Sequence, residues 1–212
     1  MTVAGKGLLL DFGGVMTASL FGRMAEFCVA AGLPADAITS ALRTEEGRAV
    51  LALAEAGLAP QRDLEAMLAQ ALGLPADGLF SRLLAADALP PRAEMADLAR
   101  RARAAGIPTG LLSNSLGPGG YDIYAGYDLA AQFDVVVISH LVGLRKPERP
   151  IYELAAEKMG LAPADCVFVD DTRGNVQAAR AVGMAAVHFT GEPGQLAEVE
   201  RLLGLGHPHR GR

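Results

Sequence analysis

The chain of 212 residues holds only two cysteines, Cys28 and Cys166, far apart and both in apolar surroundings. That scarcity argues against a disulfide framework or a thiolate metal site, and both thiols are expected to be buried and reduced. Lysine is nearly as rare. It occurs only at Lys6, Lys146 and Lys158, and every other basic residue is arginine. The net charge of -5 provides no basic stripe, so nucleic acid is not an expected partner. The opening MTVAGKG has neither the charged start nor the apolar core of a signal peptide. No apolar run approaches membrane-spanning length, and a membrane partner is not expected either. These absences point to a soluble, cytoplasmic protein. Half of the residues (51%) are apolar, which calls for a packed core.

Five apolar, partly β-branched runs read as buried strands: GLLLDF (7–12), IPTGLLS (107–113), VVVIS (135–139), CVFVD (166–170) and AAVHF (185–189). Helical spacing fills the intervals at 94–106, 151–160 and 175–184, the first two ending at glycine. Alternating strand and helix predicts an α/β fold, a parallel sheet covered by helices. The stretch from 20 to 89 carries no strand pattern. Short Ala/Leu-rich helices broken by Gly and Pro predict an inserted helical cap over a core made of 1–19 and 90–212. The tail GHPHRGR from Gly206 reads as frayed, with His207 and His209 at most adventitious metal ligands.

Ligands of open parallel sheets bind beyond the carboxyl ends of the strands. There the first strand delivers Asp11, the second Ser113 and Asn114, and the fourth Asp170 and Asp171, with Asn175 further on. Lys146 lies in the loop between the third and fourth. Carboxylate oxygens, with the backbone carbonyl of Gly13, suit Mg²⁺, which demands hard ligands in a near-octahedral shell. A carboxylate can attack phosphorus and split a hard hydrolysis into two steps. Ser113 and Lys146 can hold the transferring oxygens. A lone Asp at a strand end is also a common turn cap. Adjacent carboxylates such as Asp170 and Asp171 repel unless a cation lies nearby.

The order DFGGV, LLSNS, GLRKPERPIY and VFVDDTRGNVQAAR resembles the four motifs of the haloacid dehalogenase superfamily. The inserted helices resemble the cap of the subfamily of phosphoglycolate-phosphatase-like enzymes and of the amino-terminal phosphatase domain of soluble epoxide hydrolases. The resemblance implies a Rossmann-like core with strand order 5-4-1-2-3. It implies that Asp11 is nucleophile and metal ligand. It implies further that Ser113 and Lys146 bind the phosphoryl group, with Lys146 also restraining the acidic cluster. On the same resemblance Asp171 is implied to ligate the metal with Asp170 and Asn175 in support, and Asn114 to assist substrate binding.

One position departs from the family pattern. Phosphatases of this kind usually carry a second Asp two residues after the nucleophile, as acid and then base, and here that residue is Gly13. The loss of such a group removes about 10² to 10⁴ in rate. The expected function is a Mg²⁺-dependent phosphatase of a small phosphorylated metabolite, with a reduced acid-base set. The alternatives are a non-catalytic phosphate- or metal-binding or regulatory member, and a 2-haloacid dehalogenase, against which the Asp170–Asp171 pair speaks. No residue stands out as a replacement acid among Thr17, His140, His188, Tyr121, Tyr124 and Tyr127. The charged residues of the insert, Arg23, Arg43, Glu45 and Arg48, are expected to face solvent. Substrate identity and oligomeric state are not legible.

Overall fold

A computed structural model describes residues 6–85 and 89–205; the two tail histidines lie outside them. The elements run β1 (Gly7–Leu10), α1 (Leu20–Ala30), α2 (Ala37–Arg43), α3 (Glu45–Glu55), α4 (Gln61–Leu72) and α5 (Leu79–Leu83). Then come α6 (Ala93–Ala104), β2 (Thr109–Ser113), α7 (Leu129–Gln132), β3 (Val135–Ile138), α8 (Ser139–Val142) and α9 (Arg149–Lys158). The chain continues with β4 (Cys166–Asp170), α10 (Arg173–Ala181), β5 (Ala185–His188) and α11 (Gln195–Leu203).

The five strands form one sheet in the order β3-β2-β1-β4-β5, every pairing parallel. This is the expected order, and it sets β1 beside β4. Both faces are covered, which is why the strands read as continuous apolar runs rather than alternating ones. Leu8 and Leu10 of β1 pack on one face with Val167 and Val169 of β4, Met95 and Leu98 of α6 and Val199 of α11. Leu9 and Phe168 point to the other face, toward Ile151 and Tyr152 of α9 and Val176 of α10. Both cysteines are buried and unpaired.

The α1–α5 block has its own apolar cluster, including Met24, Cys28, Ile38, Leu64, Leu68 and Phe80. Two crossings join the block to the sheet layer. Thr17 bridges Pro91 in antiparallel fashion, and Ala18 N–H donates to the Pro90 carbonyl at 2.9 Å. Arg92 fixes the second crossing, with N–H to the Met16 carbonyl (2.8 Å) and Nε to the Thr17 carbonyl (3.1 Å). Among the described residues, no helix is long and apolar enough to cross a membrane.

Three tyrosines tie the 121–127 loop down. The rings of Tyr124 and Tyr127 each lie 4.9 Å from that of Phe12. Tyr121 Oη donates to the Leu84 carbonyl, and Tyr127 Oη to that of Leu89 at 3.2 Å. Phe12 is 1% exposed and carries both contacts. Phe12→Ala is expected to lower stability by about 3–5 kcal/mol, read from urea unfolding midpoints.

Candidate active site

The chain after β1 turns at once. Asp11 is extended (φ -72°, ψ 162°), Gly13 stays in the β region (φ -69°, ψ 127°) and Gly14 crosses to φ +79°. Only glycine adopts that last conformation without strain. The turn aims the Asp11 side chain beyond the sheet. Its Oδ1 accepts from its neighbour's Phe12 N–H at 2.7 Å and pairs with Lys146 Nζ at 2.7 Å. Oδ2 is left as the oxygen available to a ligand.

Lys146 is 2% exposed, and its three protons are all assigned. They go to the Leu112 carbonyl (2.9 Å), Asp11 Oδ1 (2.7 Å) and Asp170 Oδ2 (2.7 Å). Asn114 holds the loop that delivers it. The Asn114 Nδ2 donates to the Lys146 carbonyl and its Oδ1 accepts from Lys146 N–H, both at 2.9 Å. Asp170 is fully buried. It accepts from Lys146, from Thr172 N–H at 2.7 Å, and from Asn175 Nδ2 on both oxygens at 3.1 Å. Tyr124 Oη donates to Ser113 Oγ at 2.9 Å. That occupies an acceptor position, while the Ser113 proton is held only by a long 3.4 Å bond to the Asn114 carbonyl.

All the predicted site residues therefore converge at one sheet end. Asp11, Gly13, Ser113, Asn114, Lys146, Asp171 and Asn175 line one cavity of about 320 Å³, and Asp170 lies behind it. Helices α1–α3 supply the opposite wall, including Glu55, which sequence reasoning missed. Glu55 pairs with Arg145 at 2.6 Å across 90 residues of chain. An acid in the apolar run LALAEAG was the only signal, and its partner had none. Arg43, Glu45 and Arg48 are exposed as expected, and Arg23 donates to the Leu83 carbonyl at 2.7 Å, outside the cavity. His140 contacts Ser115 Oγ (2.7 Å) and faces a different cavity, and His188 contacts the Asp171 carbonyl (2.9 Å).

The donor set fits a divalent cation. One oxygen each of Asp11, Asp170 and Asp171 lies within 4.8 Å of the others. Three carboxylates face one ammonium, so negative charge is in excess. Burial is the largest influence on Asp11 and raises it; Lys146 opposes, Asp170 and Asp171 add, and the result is about 8. Burial and then Asp170 push Asp171 up to about 6. Burial works against the Lys146 ammonium, but Asp11 and Asp170 outweigh it and hold its proton more tightly than usual. A hard cation would relieve that excess.

The comparisons with known proteins agree with this geometry. The model of the haloacid dehalogenase-like hydrolases matches residues 6–183. The chain belongs to that family. It is 30% identical over 154 residues to the sesquiterpene phosphatase astK of Aspergillus oryzae, covering 71% of this chain and 77% of that one. It is 36% identical over 96 residues to phosphoglycolate phosphatase of Escherichia coli, covering 45% of this chain but only 38% of the relative. A HAD family enzyme of Bacteroides thetaiotaomicron, solved with magnesium and inorganic phosphate, shares the fold with a TM-score of 0.63 at 19% identity, covering 89% of this chain and 96% of that one. The chain is thus a hydrolase with phosphatases among its relatives.

The two glycines of the turn differ sharply. A Cβ on Gly14 would stand 2.0 Å from Asp171 Oδ2, whereas one on Gly13 would meet only Leu20 Cβ at 3.7 Å. Gly14→Ala is expected to lower the melting temperature and abolish its rise with Mg²⁺; Gly13→Ala is expected to keep both. Raised carboxylates make the folded chain bind more protons than the unfolded chain between about pH 4 and pH 8. Stability without metal therefore falls as pH rises across that window. Melting in EDTA across that range, repeated with Mg²⁺, should show the larger Mg²⁺ stabilisation at the alkaline end.

Proposed function

We propose that this hydrolase is a Mg²⁺-dependent phosphatase of a small phosphate ester, working through an aspartyl-phosphate on Asp11 without a dedicated general acid. The observation that carries the reading is Asp11 itself, held by Phe12 N–H and Lys146 through one oxygen and open to the cavity through the other. The relatives named as phosphatases support it. Asp11, Asp171 and the Gly13 carbonyl would hold the metal, with Asp170 behind them. Mg²⁺, when bound, supplies the positive charge that lets an anionic carboxylate approach an anionic phosphate.

The residues divide the remaining work. Asp11 Oδ2 attacks phosphorus and the ester P–O bond breaks. Ser113 Oγ–H donates to a phosphoryl oxygen. Lys146 contributes its charge while its three bonds keep Asp11 and Asp170 in position. Asn114 acts on substrate indirectly, by clamping the loop that carries Lys146. The leaving oxygen takes its proton from water, because Gly13 offers none. Water then attacks the acyl-phosphate and regenerates Asp11, again without a positioned base. In this reading residues 20–89 form the cap that closes the cavity, and the enzyme acts in the cytoplasm on a small phosphorylated metabolite.

Hydrolysis of p-nitrophenyl phosphate tests the reading, since phenolate leaves with little help. Turnover that requires Mg²⁺, stops in EDTA and is lost in Asp11→Asn is expected. Full activity of Asp11→Asn would end the nucleophile assignment. No turnover by the native chain would favour a binding or regulatory role.

Gly13→Asp supplies a second test. Its Cβ has room and its backbone angles suit any residue. Hydrolysis of alkyl phosphates is expected to rise by about 10² to 10⁴, and that of the aryl ester far less. Equal gains on both substrates would mean that proton transfer does not limit the native chain.

A further inference from the structure

The phosphate end of the cavity is polar; apart from the Glu55–Arg145 pair, the wall opposite it is apolar. Leu20, Phe21 and Met24 of α1, Leu42 of α2 and Leu51 of α3 face the sheet end across it, joined by Ile123. Phe21 is 49% exposed, a large aromatic side chain left open to solvent beside the catalytic end of the sheet. The described lining contains two cations, and both are engaged. Arg145 is paired with Glu55 at 2.6 Å and with Glu148 at 3.5 Å. Lys146 is saturated by Leu112, Asp11 and Asp170. Both cations of the described lining already face carboxylates, and Glu55 and Asp171 would repel a second anionic group on a substrate.

Resting on the phosphatase reading above, we infer that the cavity selects, in binding, a phosphate monoester whose body is uncharged hydrocarbon rather than a phosphorylated carboxylic acid. The phosphate sits at Asp11 and Ser113, and the chain runs along Leu20, Phe21, Leu42 and Leu51. A cavity of about 320 Å³ is small for a ligand site. It therefore suits a short chain.

Calorimetry with n-alkylphosphonates tests this without turnover, because the P–C bond resists hydrolysis. In the presence of Mg²⁺, Kd is expected to tighten by up to about fourfold for each methylene added from ethyl upward, the factor for a fully buried CH₂, until the cavity is full. Phosphonoacetate, which carries a second charge, should bind more weakly than ethylphosphonate. Phe21→Ser, a change at a half-exposed position, should flatten the dependence on chain length, and Leu42→Gln serves as a second variant if Phe21→Ser does not melt cooperatively.

A flat series, tighter binding of phosphonoacetate, or no phosphonate binding at all would overturn the inference. p-Nitrophenyl phosphate turnover, measured on the same preparation, keeps the two readings separate. A steep phosphonate series in a chain that hydrolyses no phosphate ester leaves the hydrocarbon pocket standing and removes the phosphatase. Turnover with a flat series does the reverse.

Discussion

A single ammonium, buried and bonded on all three protons, organises this molecule's functional end. Lys146 joins the carbonyl end of β2, the carboxylate after β1 and the carboxylate ending β4. Those three strands are neighbours only because the sheet runs β2-β1-β4. The topology and the charge network are thus one construction. Burying an ion costs several kcal/mol unless its bonds are complete, and here each proton has an oxygen. A planar guanidinium presents its donors in a flat fork and does not match three acceptors arranged around a point. In a chain that otherwise prefers arginine, this geometry accounts for lysine at the position. The lysine neutralises only part of the acid around it, and the residual negative charge is what a hard cation would complete.

The GG pair after Asp11 separates structural need from chemical choice. Gly14 is demanded twice, by its positive φ and by Asp171 Oδ2 lying where a Cβ would be. Gly13 is demanded by neither. The missing acid is therefore no by-product of a tight turn, because the fold has space for a side chain there. Both halves of the proposed reaction lack the same proton carrier. On that proposal the first half would favour leaving groups that depart easily, and the second half would leave the acyl-phosphate long-lived. His140 and His188 do not fill the gap. One binds Ser115 in another cavity and the other contacts a backbone carbonyl.

Much of this was legible in the residues. Strands buried on both faces announce themselves as unbroken apolar runs, and four of them stop at polar residues that line the site or sit beside it. The rarity of lysine singled out Lys146. What stayed hidden depends on contacts distant in sequence. Glu55 and Arg145 are 90 residues apart, and nothing local links them. Tyr124 reaches Ser113 across a loop without regular structure, a contact that no local pattern announces. Helix α11, between Gly194 and Gly204, is not among the helices that the spacing predicts. Lys146 was expected to grip the phosphoryl group and the acids together; its protons are already taken, which moves its proposed role toward positioning and charge.

The central claim is that Asp11 attacks phosphorus in a site poor in proton carriers. The most direct measurement is to quench steady-state turnover of an aryl phosphate in acid and locate the phosphoryl group by peptide mass spectrometry. The account predicts an acid-trapped phosphoryl adduct on Asp11, present in a substantial fraction of the native chain and depleted when Gly13 is replaced by Asp. Turnover with no adduct on Asp11, or with an adduct on another residue, would contradict it.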